Sequence, residues 1–171
     1  PPISLGVIGP KSLALSGRVA DGTILSEYAS PAYITWAREQ IAAGQAQAGH
    51  DRGHRLTVFA FAEAGDTTAA AREALRPMVA SAIASGGIDA KLAPMGILPQ
   101  AGELRAHEDH ARLAAAIPDA WIDRLTIAGT PADWRAAIER LVEAGAESVV
   151  LVPHPEKGVD ELDRFAQHFL A

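Results

Sequence analysis

Cysteine is absent from all 171 residues. That removes disulfides, thiolate zinc sites and thiol nucleophiles from consideration together. Lysine is scarce beside arginine, and acidic residues outnumber basic ones, for a formal net charge of −6. General nucleic-acid binding wants a basic face and is not expected. One local anion site stays compatible with that total, because charges act within about 8 Å at physiological salt. No apolar run approaches the ~20 residues that cross a bilayer, and the opening Pro-Pro runs into a strand rather than a signal peptide. A cytoplasmic protein with no membrane partner is expected. Low-complexity linkers and close repeats are missing too, so residues 1–171 read as one domain.

What is present is an alternation of short apolar runs and helical patterns. Residues 2–8 form an apolar run that ends in Gly9-Pro10-Lys11, after which a helical pattern begins with Leu13, Leu15 and Val19 expected on its buried side. Asp21-Gly22 turns the chain into Thr23-Ile24-Leu25. Ser30-Pro31 has the N-cap and first-turn chemistry of a helix start, and the periodicity predicts a helix over 31–48. Leu56–Ala62 reads as a strand buried on both faces. Asp66-Thr67-Thr68 caps a helix over 68–84. Gly86–Gly102 is the longest irregular segment expected, followed by helical pieces over 103–116 and 118–124. Thr130-Pro131 opens a helix over 131–144, Glu147–Pro153 is a fourth strand, and a last helix spans 159–170. Four strands alternate with helices and none closes a short hairpin. That is the pattern of a parallel sheet with right-handed crossovers. It fits a small open sandwich, and it fits half of a (β/α)8 barrel equally well.

Gly9-Pro10-Lys11 has two readings. Glycine at a strand's carboxyl end lets backbone approach a ligand, and the unpaired N–H groups opening the next helix attract anions. The plainer reading is turn punctuation with a solvated lysine. His107 and His110, three apart, have metal-ligand spacing without an identifiable third ligand. His50 and His54 flank a charged turn and are expected at the surface, as are Asp133 and Glu139. His154 follows a strand's carboxyl end, where barrel ligands gather. Trp36, Trp121 and Trp134 fall in helical segments and are expected to pack.

Gly9-Pro10-Lys11 with Gly17 and Ala20-Asp21-Gly22, then Gly129-Thr130-Pro131 and Glu143–Pro153, resemble the luciferase-like monooxygenase superfamily. The branch they are most similar to uses the deazaflavin coenzyme F420. The resemblance implies a (β/α)8 barrel of which this chain is the second half, strands five to eight. It also implies that Ile8, Gly9, Pro10, Lys11 and Ser26 hold a cofactor phosphate. Coenzyme F420 is the expected cofactor, with FMN the alternative, and a small molecule is the substrate. Glu27-Tyr28-Ala29 stands where sugar-phosphate-oxidising relatives carry a basic residue after the serine position, which argues against a phosphorylated sugar. The walls that face the reacting ring belong to the absent strands, so the chain alone is not expected to turn over. Open strand edges invite self-pairing, hence an expected homo-oligomer or a missing amino-terminal half. A cofactor-free assembly domain is the non-enzyme alternative.

Overall fold

A computed structural model describes residues 1–107, 109–155, 157, 163 and 166; the predicted helix over 159–170 therefore lies outside the described residues. Its organising element is a ten-residue strand, Arg55–Ala64 (β3), rich in β-branched and aromatic side chains. Parallel to it run Ser4–Gly6 (β1), Gly22–Leu25 (β2), Ile127–Gly129 (β4) and Ser148–Pro153 (β5). β1 pairs with β2, β2 with the first half of β3, and β5 with Thr57–Ala62. β4 joins at Ala62–Ala64, where Ala62 also faces Pro153 of β5. β4 therefore lies on the edge that β2 occupies nearer the start of β3.

The parallel arrangement was legible, but among the described residues the sheet has five strands rather than four. β4 is three residues long, too short for strand alternation to show in the sequence before the cap at Thr130. Burial along β3 alternates as well: Leu56, Val58, Ala60 and Ala62 are buried, while Thr57, Phe59 and Phe61 are half-exposed. The expectation of a strand covered on both faces fails because the helices of its core pack against one of them. On the other face Phe59 pairs with Val150 of β5, and Ile24 of β2 stands level with Thr57.

Helices Pro10–Val19 (α1), Pro31–Gln47 (α2), Thr68–Ala84 (α3) and Pro131–Glu143 (α8) are the long ones. On α1 Leu13 is buried as expected, whereas Leu15 and Val19 are exposed. Gly86–Gly102 is not irregular. It holds Asp89–Leu92 (α4), a 3-10 turn at Ala93–Met95 and the start of Leu98–Leu104 (α5). Its prolines sit in first turns, where the missing N–H costs nothing. His110–Ala116 (α6) and Asp119–Leu125 (α7) are the remaining helices among the described residues, with a break after α5 where one continuous piece was expected. One core cluster joins Leu13, Tyr33, Ile34, Leu56, Val58 and Trp134; a second joins Leu75, Val79, Ile83, Leu92 and Ile122. All three tryptophans pack as expected, Trp121 and Trp134 buried and Trp36 against the first cluster.

The start of α8 is a reciprocal capping box. Asp133 N–H donates to Thr130 Oγ1 (3.4 Å), while Asp133 Oδ2 accepts from the Thr130 amide (2.9 Å) and hydroxyl (2.8 Å). Thr68 of α3 also donates to that oxygen (2.8 Å). Asp133 is thus half-buried and engaged rather than merely solvated. These donors hold its carboxyl below the ordinary range, those of Thr130 and Thr68 foremost. A carboxylate so depressed stabilises the fold above its unfolded pKa and loses that contribution as pH falls through the folded value. Thr130→Ala should cost about 1 kcal/mol in chemical denaturation at pH 7. Asp133→Asn should flatten the acid limb of the stability profile.

Candidate functional site

The carboxyl ends of β1 and β2 meet the starts of two helices. Gly6 pairs with Ile24, and the Val7 amide donates to the Ile24 carbonyl (3.3 Å); Ile8 and Ser26 each follow two residues beyond that pair. Ile8, Gly9 and Ser26 are half-exposed, and Pro10 and Lys11 exposed. The structure thus gathers all five sequence-predicted residues at one corner.

The polarity of this corner is one-sided. The Ile8 carbonyl is taken by the Tyr33 hydroxyl (2.7 Å), whose burial pushes its pKa up to about 12, so it remains a donor at any working pH. The Gly9 carbonyl accepts from the Leu13 amide and from Ser12 Oγ, both at 2.9 Å. The acceptors are occupied; the donors are not. Among the described residues no hydrogen bond reaches the amides of Ile8, Gly9, Lys11 or Ser12. Ser30, Thr67 and Thr130 cap the other long helices through their side chains, whereas Gly9 begins α1 with none. A Cβ on Gly9 would meet only Ser12 Oγ, at 3.9 Å, so the approach to these amides is open. Free N–H groups, a helix dipole and an exposed ammonium form a donor set suited to a phosphate.

Ser26 is held from behind. Lys91 of α4, only 2% exposed, donates its ammonium to Ser26 Oγ (2.8 Å), the Ser26 carbonyl (3.2 Å) and the Glu27 carbonyl. Burial lowers its pKa to about 8, against the opposing pull of Glu27. The next residue, Tyr28, adopts a left-handed φ of 65° that bulky residues avoid. Its hydroxyl donates to the Met78 carbonyl (3.2 Å), and its ring lies 5.3 Å from Phe61, which together hold it there. Sequence reasoning missed Lys91; the available signal was a lone lysine between Ala90 and Leu92 in an apolar stretch.

Glu63 was missed too. It sits near the carboxyl end of β3, on the face that carries Phe59 and Phe61, and is 2% exposed. Oε1 pairs with the Lys157 ammonium, while Oε2 has no hydrogen bond among the described residues. One carboxylate in the apolar run Leu56–Ala64 was the clue.

The histidines divide. His54 is not exposed: its Nε2 lies 2.8 Å from Thr23 Oγ1, which lies 2.7 Å from Ser16 Oγ. The expectation rested on charged neighbours in sequence, whereas a contact 31 residues away decides its burial. Desolvation lowers its pKa. His50 is half-buried, with Nε2 3.3 Å from the Arg18 carbonyl oxygen. His107 is exposed, Asp109 caps α6 and His110 approaches Ser81 (3.3 Å). Glu108 lies outside the described residues, and among those described no three acidic or histidine side chains are grouped for a metal. His154 is half-buried just after β5. A wide cleft of about 540 Å³ lies at the opposite end of β3, lined by Arg38, Gln45, Arg52 and His54. No described helix is long and apolar enough to cross a membrane.

The family profile of luciferase-like monooxygenases matches residues 1–148. The 5,10-methylenetetrahydromethanopterin reductase of Methanolobus tindarius is 32% identical over 168 residues, covering 92% of this chain and 51% of the relative. The coenzyme F420-dependent tetrahydromethanopterin reductase of Methanopyrus kandleri superposes with a TM-score of 0.70 at 24% identity, over 90% of this chain and 45% of that one. An F420-dependent secondary alcohol dehydrogenase gives 0.64 at 18% identity, over 98% and 48%. The chain thus spans about half the length of the curated relatives it matches, and its parallel α/β architecture is that of their TIM-barrel-like fold. This chain belongs to the luciferase-like monooxygenase family.

Proposed function

We propose that this chain is the carboxyl-terminal half, strands five to eight, of the barrel of an F420-dependent oxidoreductase, and that it holds the cofactor's phosphate. The observation that carries the reading is the corner at Ile8–Ser12 and Ser26, where acceptors are spoken for and amides stand open. Coenzyme F420, when bound, would supply the hydride chemistry. The residues here would bind and orient it. The amides of Ile8, Gly9, Lys11 and Ser12 would donate to phosphate oxygens, Ser26 would add its hydroxyl, and Lys11 a mobile charge. Kinship with F420-dependent reductases favours the deazaflavin and a small organic hydride donor or acceptor as substrate. The half-exposed face of Ile24, Phe59, Phe61 and Val150 supports work within a complete barrel, whose remaining strands come from further chain or a second copy.

Titration with coenzyme F420 and with FMN tests this, read by cofactor fluorescence. F420 is expected to bind, and Ser26→Ala to weaken it ~10–100-fold, the worth of one hydrogen bond to a charged acceptor. Lys11→Glu should weaken it as well. Unchanged affinity in both variants would remove the phosphate assignment. Preference for FMN, with oxygen-dependent turnover once the barrel is complete, would move the protein to the monooxygenase side. Binding of neither cofactor by a stable oligomer would leave an assembly domain.

A further inference from the structure

We propose that Lys91 is a positioning residue for this corner, setting the Ser26 hydroxyl as an outward donor. The inference rests on the phosphate reading above and extends it to a residue on a different segment. An ammonium has three donors and no acceptor, and a hydroxyl has one proton and two lone pairs. Lys91 spends its donors on Ser26 Oγ, the Ser26 carbonyl and the Glu27 carbonyl. With a lone pair of Oγ engaged by N–H, the hydroxyl proton cannot point back at Lys91 and is left to face the open side. The same bonds clamp the Ser26-Glu27-Tyr28 turn, which Tyr28's left-handed backbone would otherwise relax. A neutral amine gains a lone pair and can accept the serine proton, turning the hydroxyl inward. Protonation of Lys91 therefore couples to anion binding.

Other charged groups around it are few. Glu27 faces it from the β2–α2 loop. Asp89 on α4 is paired with Arg105 at the end of α5. The Tyr28 phenol stays protonated, its pKa pushed up to about 12. Lys11 is exposed.

The test is F420 affinity from pH 7 to pH 9 for the wild-type chain, Lys91→Met and Ser26→Ala. Wild type should lose affinity severalfold across this range. Lys91→Met should bind about tenfold more weakly at pH 7, the loss of one charge-assisted bond, and show little dependence on pH. Ser26→Ala should also flatten the profile; this arm keeps Lys91 in place and so survives a folding failure of Lys91→Met. If Ser26→Ala weakens binding yet keeps the wild-type pH slope, or a folded Lys91→Met binds as wild type, the positioning role is overturned and the phosphate site stands. If Ser26→Ala and Lys11→Glu both bind as wild type, the phosphate reading itself is overturned.

Discussion

Gly44→Ala should unfold this protein or lower its melting temperature by roughly 6–12 °C or more. A Cβ at Gly44 would be driven into the Ala14 carbonyl of α1, and one at Gly17 into the Ile41 carbonyl of α2, both far inside contact distance. The obstacles are backbone, not flexible side-chain tips, so neither helix can yield without moving as a body. The two helices thus meet main chain to main chain, with a glycine of each under the other. α1 carries the open amides at its start and α2 carries Tyr33, which closes off the Ile8 carbonyl. Their crossing sets the shape of the corner. Overpacking a tight core ordinarily costs 1–3 kcal/mol. Here the collision is with peptide groups, and ~3 kcal/mol or more is expected; each kcal/mol moves the transition of a chain this size by roughly 2–4 °C. Gly17→Ala should behave alike by thermal unfolding. An exposed control, Gly102→Ala in α5, faces open space in an ordinary backbone conformation and should not destabilise, gaining up to about 1 kcal/mol of helix propensity instead.

Trp134→Ala should cost ~3–5 kcal/mol, the usual loss for a buried aromatic truncated to alanine. Trp134 is 1% exposed and belongs to the cluster that joins α8 to the sheet. Its indole N–H donates to the Glu63 carbonyl (3.1 Å), so the same residue anchors the end of β3 where the buried carboxylate stands. Trp134→Phe keeps most of the apolar area and gives up the hydrogen bond, leaving a buried carbonyl short of a donor; a loss of ~1–3 kcal/mol is expected. Denaturant unfolding of the two variants separates the packing part from the polar part. Equal stability for Trp134→Ala and wild type would show that α8 is not held through this side chain.

How much was readable beforehand follows from element length and from the reach of each contact. α2, α3 and α8 were placed to within a residue because each is long enough for periodicity and opens on a capping residue, Ser30, Thr67 or Thr130. β4 and the turns of α4 and α5 escaped because three to seven residues show no period. The corner residues Ile8, Gly9, Pro10, Lys11 and Ser26 are proposed for the phosphate through resemblance, and the two strands that lead to them, β1 and β2, pair in parallel. Its support was not readable. Lys91 reaches Ser26 across 65 residues, and Lys157 reaches Glu63 across 94. His54 and Asp133 were misplaced at the surface for the same reason, since each owes its environment to a partner on another element. Local pattern carries the elements; distant pairs carry the chemistry.

The most direct measurement is the set of backbone amide shifts in a nitrogen-15 spectrum as coenzyme F420 is added. The account predicts saturable shifts at Ile8, Gly9, Lys11, Ser12 and Ser26, with the amides lining the cleft around His54 unmoved. Shifts centred on that cleft, or a spectrum unchanged at the corner while F420 binds, would contradict it.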